Sequence, residues 1–186
     1  MIQLLFATGN RHKFEQVRDA LGFPLQQVRL ELPEVQAIKV QAVIEQKARA
    51  AYSLVNQPVL VEDTGLSIHA WNGLPGALVA WFLDSVGVDG ICKMLAEYDD
   101  LSATAETFLG FYDGERCAVF SGRMDGRVVR SPRGSLGFGW DPVFSPDGWD
   151  KTFAEMTPAE KETVSMRSRA VEQLRTYLQS LRNPQV

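Results

Sequence analysis

Two adjacent carboxylates, Glu62 and Asp63, are the residues of this sequence whose type and position best suit chemistry. They follow a mostly aliphatic run from Pro58 to Val61, which predicts a short strand buried on both faces. We expect the strand to stop at the two acids, with Thr64 and Gly65 turning the chain, because ligands of open α/β sheets bind outside the carboxyl ends of strands. Neighbouring strand residues point to opposite faces, so we expect Asp63 to be the working carboxylate and Glu62 to be held by hydrogen bonds or salt bridges. A solvated acidic turn is the alternative.

A polar turn near the start of the chain could hold an anion. The run from Ile2 to Ala7 predicts a strand, and the apolar residues that follow the turn recur at helical spacing. Between them, the backbone N–H groups and the helix dipole of Thr8-Gly9-Asn10-Arg11-His12-Lys13 would face the ligand. Thr8, Asn10 and Lys13 add side-chain donors. An ordinary capped turn, with His12 on the surface, is the alternative.

Glu34 could join Asp63 at a divalent metal. It lies in a proline-containing loop, Glu31 to Gln36, that follows a predicted strand near Val28 and Leu30. Mg²⁺ is commonly held by one or two carboxylates together with substrate phosphates and water. The next predicted helix, from about Val40 to Ser53, places Lys47 near its middle, and we assign Lys47 to the substrate as well.

Two later segments could form the remainder of a ligand site. In Gly134 to Phe144, small residues allow close backbone approach, and Phe138 and Trp140 offer faces on which a base can stack. A glycine-rich hairpin with core aromatics is the alternative. The final predicted helix begins at a capping box with proline, Thr157-Pro158-Ala159-Glu160. Lys161 lies on one side of it with Ser165, Ser168 and Arg167 within reach, and a solvated face is the ordinary interpretation.

The elements that must position these residues alternate in type. Two helices are predicted at about Ala77–Ser85 and Val88–Glu97, followed by an antiparallel meander at Thr104–Tyr112, Arg116–Ser121 and Met124–Val129. The Asp113-Gly114 pair marks a hairpin. We therefore expect one α/β domain over residues 1–186 with a mixed sheet.

Composition limits the class of protein. The 186 residues are 45% hydrophobic, enough for a substantial core, and contain only two cysteines, Cys92 and Cys117, which suit buried thiols rather than disulfides or zinc. No apolar run is long enough to span a membrane, so we expect a cytoplasmic protein without a membrane partner. A net charge of −4 argues against a nucleic-acid partner. A polyphosphate ligand would need locally concentrated cations or a divalent metal.

Taken together, these motifs resemble the inosine triphosphate pyrophosphatase family nearly from end to end. The matching runs follow the family order: Thr8-Gly9-Asn10 with Lys13, Leu32-Pro33-Glu34, Val61-Glu62-Asp63-Thr64-Gly65-Leu66, Leu74-Pro75-Gly76, Phe138-Gly139-Trp140-Asp141-Pro142-Val143-Phe144, Phe153-Ala154-Glu155-Met156, and Lys161 through Arg167. The resemblance implies an elongated, two-lobed α/β fold with a central mixed β-sheet flanked by helices, a substrate cleft between the lobes, and a homodimer. It also implies Mg²⁺-dependent hydrolysis of purine nucleoside triphosphates, such as those of inosine and xanthosine, to the monophosphate and pyrophosphate.

The resemblance also assigns roles to residues. Thr8 through Lys13 would bind the triphosphate, Glu34 and Asp63 would bind Mg²⁺, and Asp63 would accept the proton of the attacking water. The remaining contacts with the nucleotide would come from Thr64, Phe138, Gly139, Trp140, Asp141, Lys161, Met166 and Arg167.

Two departures from the family pattern concern the base. The family has Ser-His-Arg where this chain has Ser165-Met166-Arg167, and many members carry a basic or hydroxyl residue within the segment that is Ala77 to Ala80 here. A thioether supplies no hydrogen-bond donor, so Met166 predicts a more apolar pocket wall and weaker selection of 6-keto purines over adenine. The alternatives are a Maf-like pyrophosphatase acting on pyrimidine or modified nucleotides, and a nucleotide-binding protein without turnover.

Overall fold

The two carboxylates lie in a strand of a seven-stranded mixed sheet. The computed structural model describes residues 4–33 and 37–182. The elements are β1 (Leu4–Ala7), α1 (Arg11–Leu21), β2 (Leu25–Val28), α2 (Gln41–Val55), β3 (Val59–Ile68), β4 (Pro75–Gly76), α3 (Val79–Met94), β5 (Ser102–Tyr112), β6 (Cys117–Val128), β7 (Phe144–Pro146), α4 (Pro158–Val164) and α5 (Met166–Arg182).

The strand order in the sheet is β2-β1-β3-β5-β6-β7, and β4 pairs with β3. β1 pairs in parallel with β2 and β3, whereas the other pairs are antiparallel. The predicted α/β class with a mixed sheet is therefore confirmed.

Helices cover both faces of the sheet. On one face, Val17 and Leu21 of α1 and Leu174 of α5 are buried against strand residues such as Phe6. On the other face, α2 buries Ile44, Ala48 and Ala51 against Leu5, Val59 and Val61. A third cluster joins α3 to the far ends of β3, β5 and β6 and to aromatic residues of the segment 140–153. Within the described residues, no helix has the length and apolar character that a membrane span requires.

The prediction that β3 ends at Glu62 and Asp63 is wrong. β3 continues to Ile68 because β5 pairs with it along its whole length, from Val59 opposite Tyr112 to Ile68 opposite Ala103. Its other neighbour, β1, ends at Ala7 opposite Val61. The two acids therefore lie immediately past the carboxyl end of β1, beside the crevice that this shorter strand leaves open.

The two helices expected after Gly76 are present as the two halves of α3, because Gly87, whose φ of 65° and ψ of −178° are not helical, separates them at a kink. Two other elements differ from their predicted bounds. The strand expected at Met124–Val129 is the continuation of β6, because β5 is long enough to pair with all of it. The final helix is divided at Ser165, which has extended backbone angles and whose Oγ accepts a hydrogen bond from the Arg167 N–H at 3.1 Å. The capping box at Thr157 and the hairpin at Asp113-Gly114 are confirmed.

Candidate active site

The turn between β1 and α1 is built to present backbone N–H groups. Asn10 is the N-cap of α1, and its side-chain oxygen accepts a hydrogen bond from the Lys13 N–H at 3.1 Å. Thr8 Oγ1 accepts from the Asn10 N–H at 3.1 Å. The Arg11 side chain turns away to the exposed Glu15, 2.8 Å distant. This turn directs the positive end of the α1 dipole to the crevice at the end of β1, which suits an anion.

Glu62 is fully enclosed and neutralised on the α1/α5 face. Arg167 forms a bidentate ion pair with it, with Nε 2.9 Å and Nη2 3.0 Å from the two carboxylate oxygens. Lys13 Nζ lies 3.2 Å from Oε1, and the Thr64 hydroxyl donates to the same oxygen at 2.8 Å. Burial acts to raise the pKa of Glu62, but the charges of Arg167 and Lys13 outweigh it and hold the pKa well below its usual range. Glu62 is therefore a permanently ionised anchor.

Asp63 lies on the opposite face, toward α2, and is poorly neutralised. Its described ionic partner is Lys47, whose Nζ is 3.5 Å from Oδ1, and 19% of the Asp63 side chain is exposed against 0% for Glu62. Burial raises the pKa of Asp63 above its usual value, even though Lys47 and Lys13 act to lower it. A carboxylate that is accessible, anionic and more basic than usual can accept a proton or bind a cation.

A second buried ion pair holds the glycine-rich loop against α4. Lys161 Nζ is 2.5 Å from Asp141 Oδ2, and the same oxygen accepts the Phe138 N–H at 2.8 Å. Gly137 has φ of 81°, and a side chain there would collide with the Asp141 carboxylate. Burial lowers the pKa of Lys161, and the Asp141 charge opposes that shift. The pair fixes the position of Phe138 in the site.

One aromatic ring and two cations lie against the Phe138 ring. The His12 ring stacks on it, with centroids 5.4 Å apart and an angle of 13° between planes. The Lys161 ammonium and the Arg167 guanidinium lie 5.7 Å and 5.6 Å from its centroid. Trp140 instead lies in the third cluster, packed edge-on against Phe144 at 5.6 Å. Of the two aromatic residues predicted to face a ligand, the structure therefore brings only Phe138 to the site. Gly139, also predicted to contact the nucleotide, lies near Leu83 of α3 and does not line the cavity.

A cavity of about 330 Å³ opens beside Lys161 and Arg167. It lies between α1, the glycine-rich loop, α4 and the start of α5, and its size suits a purine base. Its lining includes Gln16. This residue could not be predicted from the sequence, because it belongs to no motif and its position is set by the packing of α1 on α5.

Two sequence predictions, for Met166 and Thr64, need correction, and a third, for Glu34, concerns a residue outside the described ranges. The Met166 side chain is 2% exposed and belongs to the third hydrophobic cluster, and it does not line the cavity, because the first residue of α5 points toward the sheet. The Thr64 hydroxyl is buried, bonded to Glu62 and 3.3 Å from the Thr107 hydroxyl, rather than directed at a ligand. Glu34 lies outside the described residues. Within residues 4–33 and 37–182, no group of three or more His, Cys, Asp or Glu side chains could hold a metal ion.

The site concentrates positive charge in an acidic protein. Four cations, Lys13, Lys47, Lys161 and Arg167, accompany three carboxylates, Glu62, Asp63 and Asp141, in three ion-paired groups. These groups together carry one more positive than negative charge, although the chain carries a formal charge of −4. Such a local excess attracts an anionic ligand despite the overall field.

The fold and the site define an α/β protein in which a capped strand-to-helix turn and a cavity of about 330 Å³ lie near a pair of adjacent carboxylates. The chain belongs to the Ham1 family, whose model matches residues 4–177. It is 44% identical over 184 residues to the inosine triphosphate pyrophosphatase of Schizosaccharomyces pombe, covering 97% of both chains. It is 37% identical over 180 residues to the dITP/XTP pyrophosphatase of Thermococcus kodakarensis, covering 95% of this chain and 97% of the relative.

A solved structure supports the same fold. A HAM1 protein from Coxiella burnetii superimposes with a TM-score of 0.84 at 26% identity, covering 97% of this chain and 100% of that one. The resemblance inferred from the motifs is thereby confirmed.

Proposed function

We propose that this protein is a hydrolase that converts purine nucleoside triphosphates of the inosine and xanthosine type to the monophosphate and pyrophosphate, and so removes damaged nucleotides from the pool. The observation that carries the proposal is the position of Asp63, an incompletely neutralised carboxylate beside the anion-binding turn at the end of β1. The similarity to inosine triphosphate and dITP/XTP pyrophosphatases supports the substrate class.

The triphosphate would lie on the turn from Thr8 to Lys13, within reach of Lys47. Capped helix N–H groups and two ammonium groups neutralise phosphate charge, which is the main requirement of phosphoanhydride hydrolysis. Lys13 is bound to Glu62, which keeps its ammonium group at the crevice.

Asp63 would act as the general base. It would take a proton from water as the water oxygen bonds to phosphorus and the bond to the pyrophosphate leaving group breaks. Its raised pKa strengthens it as a proton acceptor, and its partial exposure gives water access.

A divalent cation, Mg²⁺, fits the donors of this site. Asp63 offers a hard oxygen ligand, and Glu34 would supply a second carboxylate, a set that suits Mg²⁺ shared with substrate phosphates and water. When bound, the metal would neutralise charge on the phosphates and the leaving group.

The base would occupy the cavity beside Phe138. Phe138 offers a stacking face, Lys161 and Arg167 offer donors, and Asp141 holds the loop in place. The Met166 side chain would not contact the base, because it is buried in the hydrophobic core at the start of α5.

A nucleotide panel tests the function. Pyrophosphate release would be measured for inosine, xanthosine, adenosine and pyrimidine triphosphates, with and without Mg²⁺. We expect release from the first two, dependent on Mg²⁺. A pyrimidine preference would support the Maf-like alternative, and binding without any release would support a nucleotide-binding protein without turnover.

The metal site has its own test. Glu34→Ala should raise the Mg²⁺ concentration needed for half-maximal activity, whereas Glu31→Ala, in the same loop, should leave it unchanged. An unchanged requirement in the Glu34 variant would remove Glu34 from the site. The division into two lobes, the homodimer, the cytoplasmic location and the lack of nucleic-acid or membrane partners remain predictions.

A further inference from the structure

Gln16 lies one helical turn beyond Lys13 and His12 on α1 and lines the cavity together with Lys161 and Arg167. Its side-chain oxygen accepts a hydrogen bond from Arg167 Nη1 at 2.6 Å. No motif and no step of the proposed hydrolysis uses this residue. Its amide nevertheless lies between the turn at the start of α1 and the cavity.

The orientation of this amide is fixed by chemistry. Arginine carries only donors, so the Gln16 group that faces it must be the carbonyl oxygen and not the NH₂ group. Arg167 is itself immobilised, because its Nε and Nη2 are bound to the buried Glu62. A rotation of the Gln16 amide by half a turn would set NH₂ against the guanidinium and lose the hydrogen bond.

The Gln16 NH₂ group is therefore an available donor. Among the described residues, the Gln16 side-chain nitrogen has no hydrogen-bond partner. Every buried side-chain nitrogen and oxygen of these residues does have a partner, so the Gln16 nitrogen is not buried. Gln16 is half-buried and lines the cavity, so a ligand in the cavity would lie next to its side chain.

We propose that Gln16 is a specificity-determining residue that donates a hydrogen bond to the oxygen at C6 of the purine. This inference rests on the proposed function. Inosine and xanthosine present an acceptor at C6, whereas adenine presents an amino donor, which would meet the Gln16 donor unfavourably. Gln16 would thus provide, from α1, the donor that the buried Met166 thioether does not provide from α5.

The test is a change of the amide to a carboxylate. Gln16→Glu keeps an oxygen for Arg167, so the fold and the Arg167 position are preserved, but it replaces the donor with an acceptor. We expect the ratio of kcat/KM for inosine triphosphate to that for ATP to fall about tenfold or more, as one hydrogen bond gives way to repulsion. Both substrates carry the same triphosphate, so the added charge cancels in the ratio.

Two further measurements isolate the C6 contact. Purine riboside triphosphate has only hydrogen at C6, and its kcat/KM relative to ATP should change less than that of inosine triphosphate. Gln16→Met, similar in volume but uncharged, should also lower the ratio of inosine triphosphate to ATP. Gln179→Glu on the exposed side of α5 is the matched control for an added charge.

The outcomes separate the two proposals. Wild-type protein that releases no pyrophosphate from any nucleotide would contradict the function itself. Wild-type protein that hydrolyses inosine triphosphate and ATP equally, or variants at Gln16 that both retain the wild-type ratio, would overturn the role of Gln16 while leaving the hydrolysis intact.

Discussion

The two faces of β3 treat neighbouring carboxylates in opposite ways. On the α1/α5 face, Glu62 is fully buried and bound by Arg167, Lys13 and Thr64, and its pKa is held low. On the α2 face, Asp63 has Lys47 at 3.5 Å, retains contact with solvent and has a raised pKa.

This difference shows that the partners, and not the residue type, decide which acid is available for chemistry. Glu62 has used its oxygens to hold together α1, β3 and α5, so it has little capacity left for a water molecule or a metal. Asp63 is destabilised in its ionised form by burial, and a ligand cation or a proton would relieve this. Glu62 on one face of β3 therefore stabilises the fold, whereas Asp63 on the other face is available to react.

The largest effect should come from Glu62→Gln, measured as stability. Removing the carboxylate charge leaves Arg167 buried without its counter-ion, and breaking such a pair from one side costs about 3–5 kcal/mol. Because the folded pKa of Glu62 is depressed, its stabilising contribution is present above the unfolded value of 4.5 and is lost as the pH falls toward the folded pKa. Urea unfolding of both proteins at neutral and acidic pH measures this dependence.

A second glutamate in the same sheet, Glu106, serves as the control for Glu62. Glu106→Gln replaces a half-buried glutamate of β5 for which the described residues show no ion pair, and it should cost far less. A Glu62→Gln protein as stable as wild type at neutral pH would show that the ion pair with Arg167 contributes no net stability.

The second effect should come from Asp63→Asn, measured as activity. Loss of the proposed general base should lower kcat by roughly 10²-fold or more. The stability of the variant at neutral pH should equal or exceed that of the wild type. Because the pKa of Asp63 is raised in the folded protein, ionisation of Asp63 lowers the free energy of unfolding of the wild type as the pH rises. Retention of more than about a tenth of the wild-type rate would exclude Asp63 as the base. Together, the two variants distinguish a carboxylate that contributes to stability, Glu62, from one that contributes to activity, Asp63.

Local patterns in the sequence were sufficient for most elements, including the strand, turn and helix around Thr8 to Lys13. The Thr157 capping box and the Asp113-Gly114 hairpin depend on residues a few positions apart, and both are present in the structure. The opposite directions of Glu62 and Asp63 also followed from the two-residue period of a strand. The length of β3 did not, because it depends on pairing with β5, about forty residues away in the chain.

The base side was harder to predict for the same reason. Trp140 and Met166 belong to motifs that were predicted to face a ligand, yet both side chains are in the core. The packing of distant segments decides which side of a loop or helix start is buried. Gln16 shows the reverse case. Nothing in its neighbourhood marks it, and only the approach of α5 to α1 gives its amide a fixed direction.

The smallest effect should come from Lys47→Met, measured as a pH dependence. Lys47 is the first of the charges that lower the pKa of Asp63 against the larger effect of burial, so its removal should raise that pKa further. Because the proposed base must be ionised to accept a proton, the acid limb of kcat/KM for inosine triphosphate should move to higher pH. Methionine keeps the aliphatic volume of the stem, which limits the loss of packing. Lys39→Met, exposed just before α2, is the matched control and should leave the limb in place. An acid limb that does not move in Lys47→Met would mean that the group titrating in the profile is not Asp63, and the division of labour between the two faces of β3 would need another base.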